Sequence, residues 1–295
     1  MKKWKELKDI YKGMILIVLS AFCFALMNMF VHLSGDLPVF QKSFFRNFIA
    51  LIIAVSALIK EKAPIKIEKS AIMPLFLRSL MGTLGILCNF YALDRLDLAD
   101  ASILNKMSPF FVIIFSIIIL KEEIKLPQLL FVLGALVGAL FVVKPSFTNT
   151  STVPAFIALT GGICAGFAYT MVRLLGIHGV KGKLIVAVFS GFSCIVTLPW
   201  VIIYFKPMTI AQLTILILAG VSAAGGQFTI TAAYTYAPAR DVSVYDYTQI
   251  IFAAALGFLV FGQIPDLLSW IGYIIIASMA VLMFVYNRRK LIRSE

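Results

Sequence analysis

Asp100-Ala101-Ser102-Ile103-Leu104-Asn105-Lys106-Met107-Ser108-Pro109, running on to Leu120-Lys121-Glu122, has a counterpart 141 residues later. It reads Asp241-Val242-Ser243-Val244-Tyr245-Asp246-Tyr247-Thr248-Gln249 and runs on to Phe261-Gly262-Gln263. At that constant offset Asp100 meets Asp241, Ser102 meets Ser243, Asn105 meets Asp246 and Glu122 meets Gln263. Each copy opens on polar residues, continues as a long apolar run and stops at a polar residue. Upstream, Asn89-Phe90-Tyr91-Ala92-Leu93 resembles Ala232-Ala233-Tyr234-Thr235-Tyr236 after a shift of two. The chain therefore reads as two similar halves.

What surrounds these copies is equally apolar. Of 295 residues, 61% are hydrophobic and 14% charged, against about 25% charged in a soluble domain. So much apolar surface needs a bilayer as part of its solvent. A spanning helix takes roughly 20 apolar residues, and the sequence predicts ten: 13–33, 41–59, 72–93, 99–120, 126–143, 154–175, 183–205, 210–233, 240–261 and 267–286. Pro38, Pro64, Pro127, Pro145, Pro154, Pro207, Pro238 and Pro265 punctuate the joints. The first run follows five lysines like a signal peptide, but it lacks a small-residue cleavage site and reads as a retained helix. The expected fold is all-α and integral to the membrane, with one five-helix repeat in 1–147 and the other in 148–295. Each quoted segment is the fourth helix of its half. Five is odd, so the two halves must insert with opposite topology, an arrangement that puts a substrate site near the midplane between them.

Orientation follows from the basic residues, which concentrate on cytoplasmic loops. With ten helices both termini share a side, and nineteen Lys and Arg fall there: the N-terminal lysines, Lys60, Lys62, Lys66, Lys69, Lys121, Lys125, Arg173, Lys181, Lys183, Arg240 and the C-terminal tail. The other side has Lys42, Arg46, Arg95, Lys144 and Lys206. Both termini are thus expected in the cytoplasm. The net charge of +12 belongs to this pattern and not to nucleic-acid binding.

Several chemistries find no support. Cys23, Cys88, Cys164 and Cys194 sit singly in apolar runs, without metal or disulfide spacing. His32 and His178 fall on opposite sides. There is no HExxH, GxSxG or Walker phosphate loop, and no filter loop or charged ring. An enzyme and a channel are therefore the weaker readings, and no cofactor or metal is expected.

The chain resembles the drug/metabolite transporter superfamily, in its ten-helix branch with two EamA-type domains. The resemblance covers nearly the whole chain. In the first half it is carried by Tyr91-Ala92-Leu93, Ala99 to Asn105, Ser108-Pro109 and Leu120-Lys121-Glu122. In the second it is carried by Tyr236-Ala237-Pro238-Ala239-Arg240, Tyr247-Thr248-Gln249 and Phe261-Gly262-Gln263-Ile264-Pro265. The family's Leu-Gly-Glu end to each fourth helix is kept as Glu122 after Lys in one half, and as Gly262 before Gln263 in the other. The resemblance implies a secondary transporter working by alternating access, with substrates that range from amino acids and nucleotide derivatives to sugars, cations and drugs. A multidrug or cation exporter of the same fold is the alternative.

Charges inside a membrane are costly and mark functional sites. Asp246 lies about six residues into the ninth helix, hence roughly 9 Å deep at 1.5 Å per residue. It is flanked by Tyr245, Tyr247 and Gln249. Lys106, beside Asn105, enters the fourth helix from the opposite face to a depth of roughly 10 Å. The two could pair, or together clamp a zwitterion; Lys106 could instead snorkel. Pro109 would free the carbonyl of Asn105 or merely kink the helix. Arg46, with Asn47, could meet an anionic group near the outer mouth, and Arg78 could also meet substrate; both arginines could instead snorkel, or pair with Asp36, Asp94 or Glu68. Asn28, Asn89, Tyr91, Tyr169, Gln227, Tyr234 and Tyr236 could line the site or bond between helices. Gly134 and Gly138 form a GxxxG suited to close helix contact within the chain or in a homodimer. A small-molecule substrate, protons or a counter-substrate, and membrane lipid are the expected partners.

The charge count predicts that cysteines introduced as Lys3→Cys and Ser294→Cys react with a membrane-impermeant maleimide from the same face, the cytoplasmic one. Labelling from opposite faces would exclude an even number of spans.

Overall fold

The computed structural model describes residues 7–61, 67–93, 95, 104–144, 152–262 and 264–293, with the side chains of Leu93, Thr152 and 290–293 left out. Of the features named above, Lys2, Lys3, Lys5, Lys62, Pro64, Lys66, Asp94, 99–103, Pro145 and Gln263 lie outside the described residues. The helices are α1 (Asp9–Leu33), α2 (Val39–Glu61), α3 (Lys69–Leu93), α4 (Ser108–Leu120), α5 (Leu126–Val143), α6 (Thr152–Ile177), α7 (Gly182–Ile203) and α8 (Ile210–Tyr236). They continue with α9 (Ala239–Val242), a 3-10 turn η1 (Ser243–Tyr247), α10 (Thr248–Phe261) and α11 (Leu267–Arg293). Counting α9 to α10 as one crossing, nine of these are long and apolar enough to span a bilayer, and α4, at 13 residues, is a shorter apolar tenth. The fold is the all-α, ten-helix membrane architecture expected, since only helices satisfy every backbone group within lipid without closing a barrel.

The packing shows the repeat directly. α1 packs along α8 as α6 packs along α3, and α6 packs on α4 as α1 packs on α10. α2 pairs with α7, and α5 with α11, each pair mapping onto itself when the halves are exchanged. This is the contact pattern of two five-helix halves related by a two-fold axis. Small residues permit the close approaches. A Cβ on Gly272 of α11 would stand 2.5 Å from the carbonyl oxygen of Gly138 on α5, and one on Gly134 would stand 2.6 Å from Met279 Sδ. The GxxxG of α5 is therefore used within the chain, against α11.

Two predicted helices differ from expectation, and in the same way. The segment expected as one helix over 99–120 is helical at 104–105, turns at Lys106 and Met107, and only then enters α4. Pro109 falls in the first turn of α4 and not at a mid-helix kink, where its missing N–H costs nothing. The segment expected as one helix over 240–261 breaks into α9, η1 and α10. The breaks sit at repeat-equivalent positions, around Asn105 in one half and Asp246 in the other. The far ends of these helices match too. Gly262 caps α10 at φ 66°, and Lys121, its equivalent, caps α4 at φ 54°. That left-handed turn explains the glycine at this place in the family motif.

The outer face of the bundle is apolar, as lipid requires: Ile202 is 71% and Leu259 is 75% exposed. At the end away from the termini, Trp200 stacks on Phe40 and Tyr204, and Trp270 meets Tyr273 edge-on, the interfacial belt of amphipathic rings. At the same end Lys144 bonds Asp266, joining α5 to α11. That bond, with the Ser269 N–H, holds the Asp266 carboxyl down to about 2.

Lys121→Gly should relieve a left-handed conformation that a side chain resists and raise stability by roughly 0.5–1 kcal/mol. Gly262→Ala should lower it by at least as much. Thermal unfolding in detergent checks both signs.

Candidate functional site

The two breaks face each other across the middle of the bundle. Lys106 stands on the turn that precedes α4, and Asp246 on η1 just before α10. Lys106 Nζ lies 3.1 Å from Asp246 Oδ2, donates to Gln249 Oε1 at 2.7 Å, and reaches the backbone oxygen of Asp246 at 3.4 Å. Asp246 is buried and Lys106 largely so, their side chains 8% and 12% exposed. Lys106 pairs with Asp246 and does not snorkel. Small residues on α6 let the first break come this deep: a Cβ on Gly162 would stand 2.7 Å from the Leu104 oxygen, and one on Gly166 would stand 2.6 Å from Phe111 Cβ.

The pair forms one wall of a cavity of ≈ 120 Å³. The two breaks bring Asn105, Lys106, Asp246 and Gln249 to it; α1 brings Asn28, α2 Arg46, α3 Asn89 and α6 Tyr169. Eight of the residues singled out from the sequence therefore meet at one place.

Tyr91, Tyr234, Tyr236, Tyr245 and Tyr247 do not line it. Tyr234 is buried behind Tyr169, with ring centroids 5.4 Å apart in a stack. Tyr91 carries the Arg95 guanidinium 3.8 Å above its ring. Tyr245 and Tyr247 turn away from the cavity into the protein, and their hydroxyls lack partners. A 3-10 turn does not keep the 3.6-residue spacing of an α-helix, so neighbours of Asp246 do not share its direction.

Arg78 and Gln227 complete the polar wall, joined by a 2.9 Å bond from Arg78 Nη2 to Gln227 Oε1. Phe24, Met27 and Phe189 supply apolar surface. The sequence offers no reason to pick these three apolar residues from so many similar ones, whereas Arg78 and Gln227 stand out as polar groups in apolar runs.

Below this cavity, toward the termini, a second set of polar bonds closes the bundle. Arg173 on α6 pairs with Glu122 after α4 at 3.1 Å, and its Nη1 donates to the carbonyl oxygens of Tyr234 at 3.4 Å and Thr235 at 3.0 Å, at the end of α8. Arg240 bonds the Glu123 carbonyl, Gln128 donates to Asp241 at 2.6 Å, and Asn287 donates to the Asp241 carbonyl at 3.3 Å. At the opposite end, buried Gln41 exchanges two hydrogen bonds with the Lys206 backbone, at 2.9 and 3.0 Å, and Gln212 donates to the Ser34 carbonyl.

Inverted five-helix halves, a broken helix in each and a polar cavity where the breaks meet together define a membrane transporter. Residues 11–144 and 152–285 each match the EamA-like transporter family, and the chain belongs to that family. It is similar to the pseudopaline exporter CntI of Pseudomonas aeruginosa (strain UCBPP-PA14), 34% identical over 266 residues that cover 90% of this chain and 93% of the relative. It is also similar to the solute carrier family 35 member G1 of Mus musculus, 28% identical over 86% of this chain and 73% of the relative. A third relative is the S-adenosylmethionine uptake transporter of Rickettsia bellii (strain RML369-C), 22% identical over 88% of each chain. A solved crystal structure superposes with a TM-score of 0.81 over 94% of this chain and 98% of the other, at 15% identity, and so shares the fold.

Breaking a buried ion pair by removing one partner costs roughly 3–5 kcal/mol, whereas replacing both can be neutral. Lys106→Met should therefore destabilise strongly, and Lys106→Met combined with Asp246→Asn should recover most of the loss. A double-mutant cycle on thermal unfolding in detergent measures the coupling. Additive losses would mean that the two side chains do not interact.

Proposed function

We propose that this chain moves a small polar metabolite across the cell membrane by alternating access, with both termini in the cytoplasm and the two halves dividing near residue 147. The observation that carries this reading is the meeting of the two broken helices at one buried polar cavity. Backbone freed from a helix inside a membrane is tolerated where it lines a cavity, and two such breaks, one from each inverted half, form a binding site that both halves must share. Asp246 and Gln249 offer acceptors to an ammonium group; Lys106 offers a donor to a carboxylate. An amino acid or a derivative is the substrate best matched to that set.

The relatives support transport of small solutes in either direction, since one is named an exporter and another an uptake transporter. In the proposed cycle, the Arg173–Glu122 pair and its bonds to the end of α8 hold the cytoplasmic side shut. They part when the halves rock, while the bonds of Gln41 and Gln212 re-form or part at the outer side. A proton gradient or a counter-substrate drives the cycle. The alternative of a cation or multidrug exporter fits less well, because among the described residues three cations, Arg46, Arg78 and Lys106, line the cavity against one carboxylate, Asp246.

The test is transport by purified protein in liposomes preloaded with a mixture of polar metabolites, followed by mass spectrometry of the external medium. The expected outcome is saturable release of one metabolite or a small group, absent with Asp246→Asn although that variant unfolds as a single species. Full activity in Asp246→Asn would remove Asp246 from the site. Release linear in concentration without saturation would indicate a channel.

A further inference from the structure

Four charged side chains reach the cavity wall, and two of them, Lys106 and Asp246, neutralise one another. The remaining two are Arg46 and Arg78. They are 4% and 2% exposed, and among the described residues neither has a carboxylate within ion-pair distance. The Nε of Arg46 donates to Met27 Sδ at 2.9 Å, a thioether being a weak acceptor, and its Nη1 has no partner. Arg78 gives one bond to Gln227, stands 4.1 Å from the Phe189 ring and leaves its Nε without a partner. Gly82 makes its niche: a Cβ there would fall 2.2 Å from Arg78 Nη1.

Two guanidinium groups buried without counter-charge are costly, and costlier within a membrane. Structural arginines at such depth are paired. These two instead line a cavity with buried N–H groups left unpartnered, and the cavity also receives the N-terminal ends of α4 and α10, each the positive end of a helix dipole. The arrangement waits for negative charge that arrives with a ligand.

We infer that the transported metabolite carries at least two acidic groups, whose anionic oxygens are seated on Arg46 and Arg78. The planar fork of each guanidinium matches a carboxylate or a phosphate, and a dianion balances the two positive charges left over after the Lys106–Asp246 pair. An amino group on the same molecule would reach Asp246 and Gln249. This inference rests on the transport reading above, and names the charge class of its substrate.

Binding is the measurement that tests it, because binding does not depend on turnover. The purified full chain in detergent is unfolded thermally with succinate, glutarate or inorganic phosphate, and separately with butyrate, alanine or putrescine, at constant ionic strength. A bound ligand raises the midpoint by mass action. The dianions should act saturably, at concentrations at least about tenfold lower than butyrate or putrescine. A response to phosphate alone points to a phosphorylated metabolite, and a response to succinate or glutarate points to a polycarboxylate; both support the seat.

Arg46→Met should raise the ligand-free midpoint, by removing an unpaired buried charge, and abolish the dianion response. Arg46→Gln serves as the same test if the methionine variant does not fold. Gly82→Ala, which keeps both charges but displaces Arg78, should weaken the response at least about tenfold. The inference is overturned if dianions act no better than butyrate or putrescine. It is also overturned if Arg46→Met lowers the ligand-free midpoint and leaves the dianion response intact. Dianion binding without transport in liposomes would leave the seat standing and count against the transport reading.

Discussion

The contact between Lys106 and Asp246 ties the rest of the molecule together. It joins the first half to the second at the depth where a charge is hardest to keep, and it can form only because both fourth helices are interrupted there. A continuous helix would satisfy its own backbone and carry its side chains at fixed 100° steps. The interruptions release that constraint, so a lysine from one face of the membrane and an aspartate from the other can approach to 3.1 Å. The freed groups are not left bare, since Lys106 also reaches the backbone oxygen of Asp246. A buried ion pair seldom stabilises more than an apolar pair of equal volume would. Its presence is better understood as a requirement of the site than of the fold.

Around this contact the two-fold pattern of helix packing sets which parts move together. α1 with α8, and α3 with α6, cross between the halves, so each half grips the other through its first and third helices. The two ends of the bundle are then equivalent in position but not in chemistry. Near the termini α6 meets the end of α4 through Arg173 and Glu122. At the other end the equivalent of Arg173 is His32 on α1, whose ring meets that of Phe261 edge-on at 5.4 Å. An ion pair with backbone acceptors around it closes one side; an aromatic contact stands in its place on the other. Symmetry of fold thus coexists with gates of different kind, which an asymmetric transport cycle needs.

The cavity carries its own asymmetry. Its arginines come from α2 and α3 of the first half, and the places 141 residues on are Ala187 and Ala219. The second half contributes the carboxylate, Asp246, with Gln227 and Gln249, while Asn28, Asn89 and Asn105 come from the first. Duplication gave two similar scaffolds, and the charged groups diverged so that the first half supplies the cations and the second the carboxylate. A ligand with both kinds of group would be held by both halves at once.

Composition and the 141-residue echo were enough to determine the membrane as solvent, ten spans and two opposed halves, because bilayer thickness and the odd helix count leave no other arrangement. They also marked Asp246, Lys106 and most of the polar wall, since a charge in an apolar run is conspicuous wherever it points. The direction of each side chain was not legible. Helices that are apolar on every side show no periodicity that tells lipid from protein, and so Phe189, Met27 and Gly82 looked like any other residue of their kind. The breaks in the fourth helices were equally hidden, because no proline or glycine stands at Asp246 and Pro109 suits a helix start as well as a kink. Tertiary packing decided these things: which tyrosines reach the cavity and which stand behind it, that the glycines of α5 serve α11, and that Lys106 finds Asp246 while Arg46 and Arg78 find no counter-ion among the described residues. Those outcomes depend on which helices touch, a matter of distances between residues far apart in sequence.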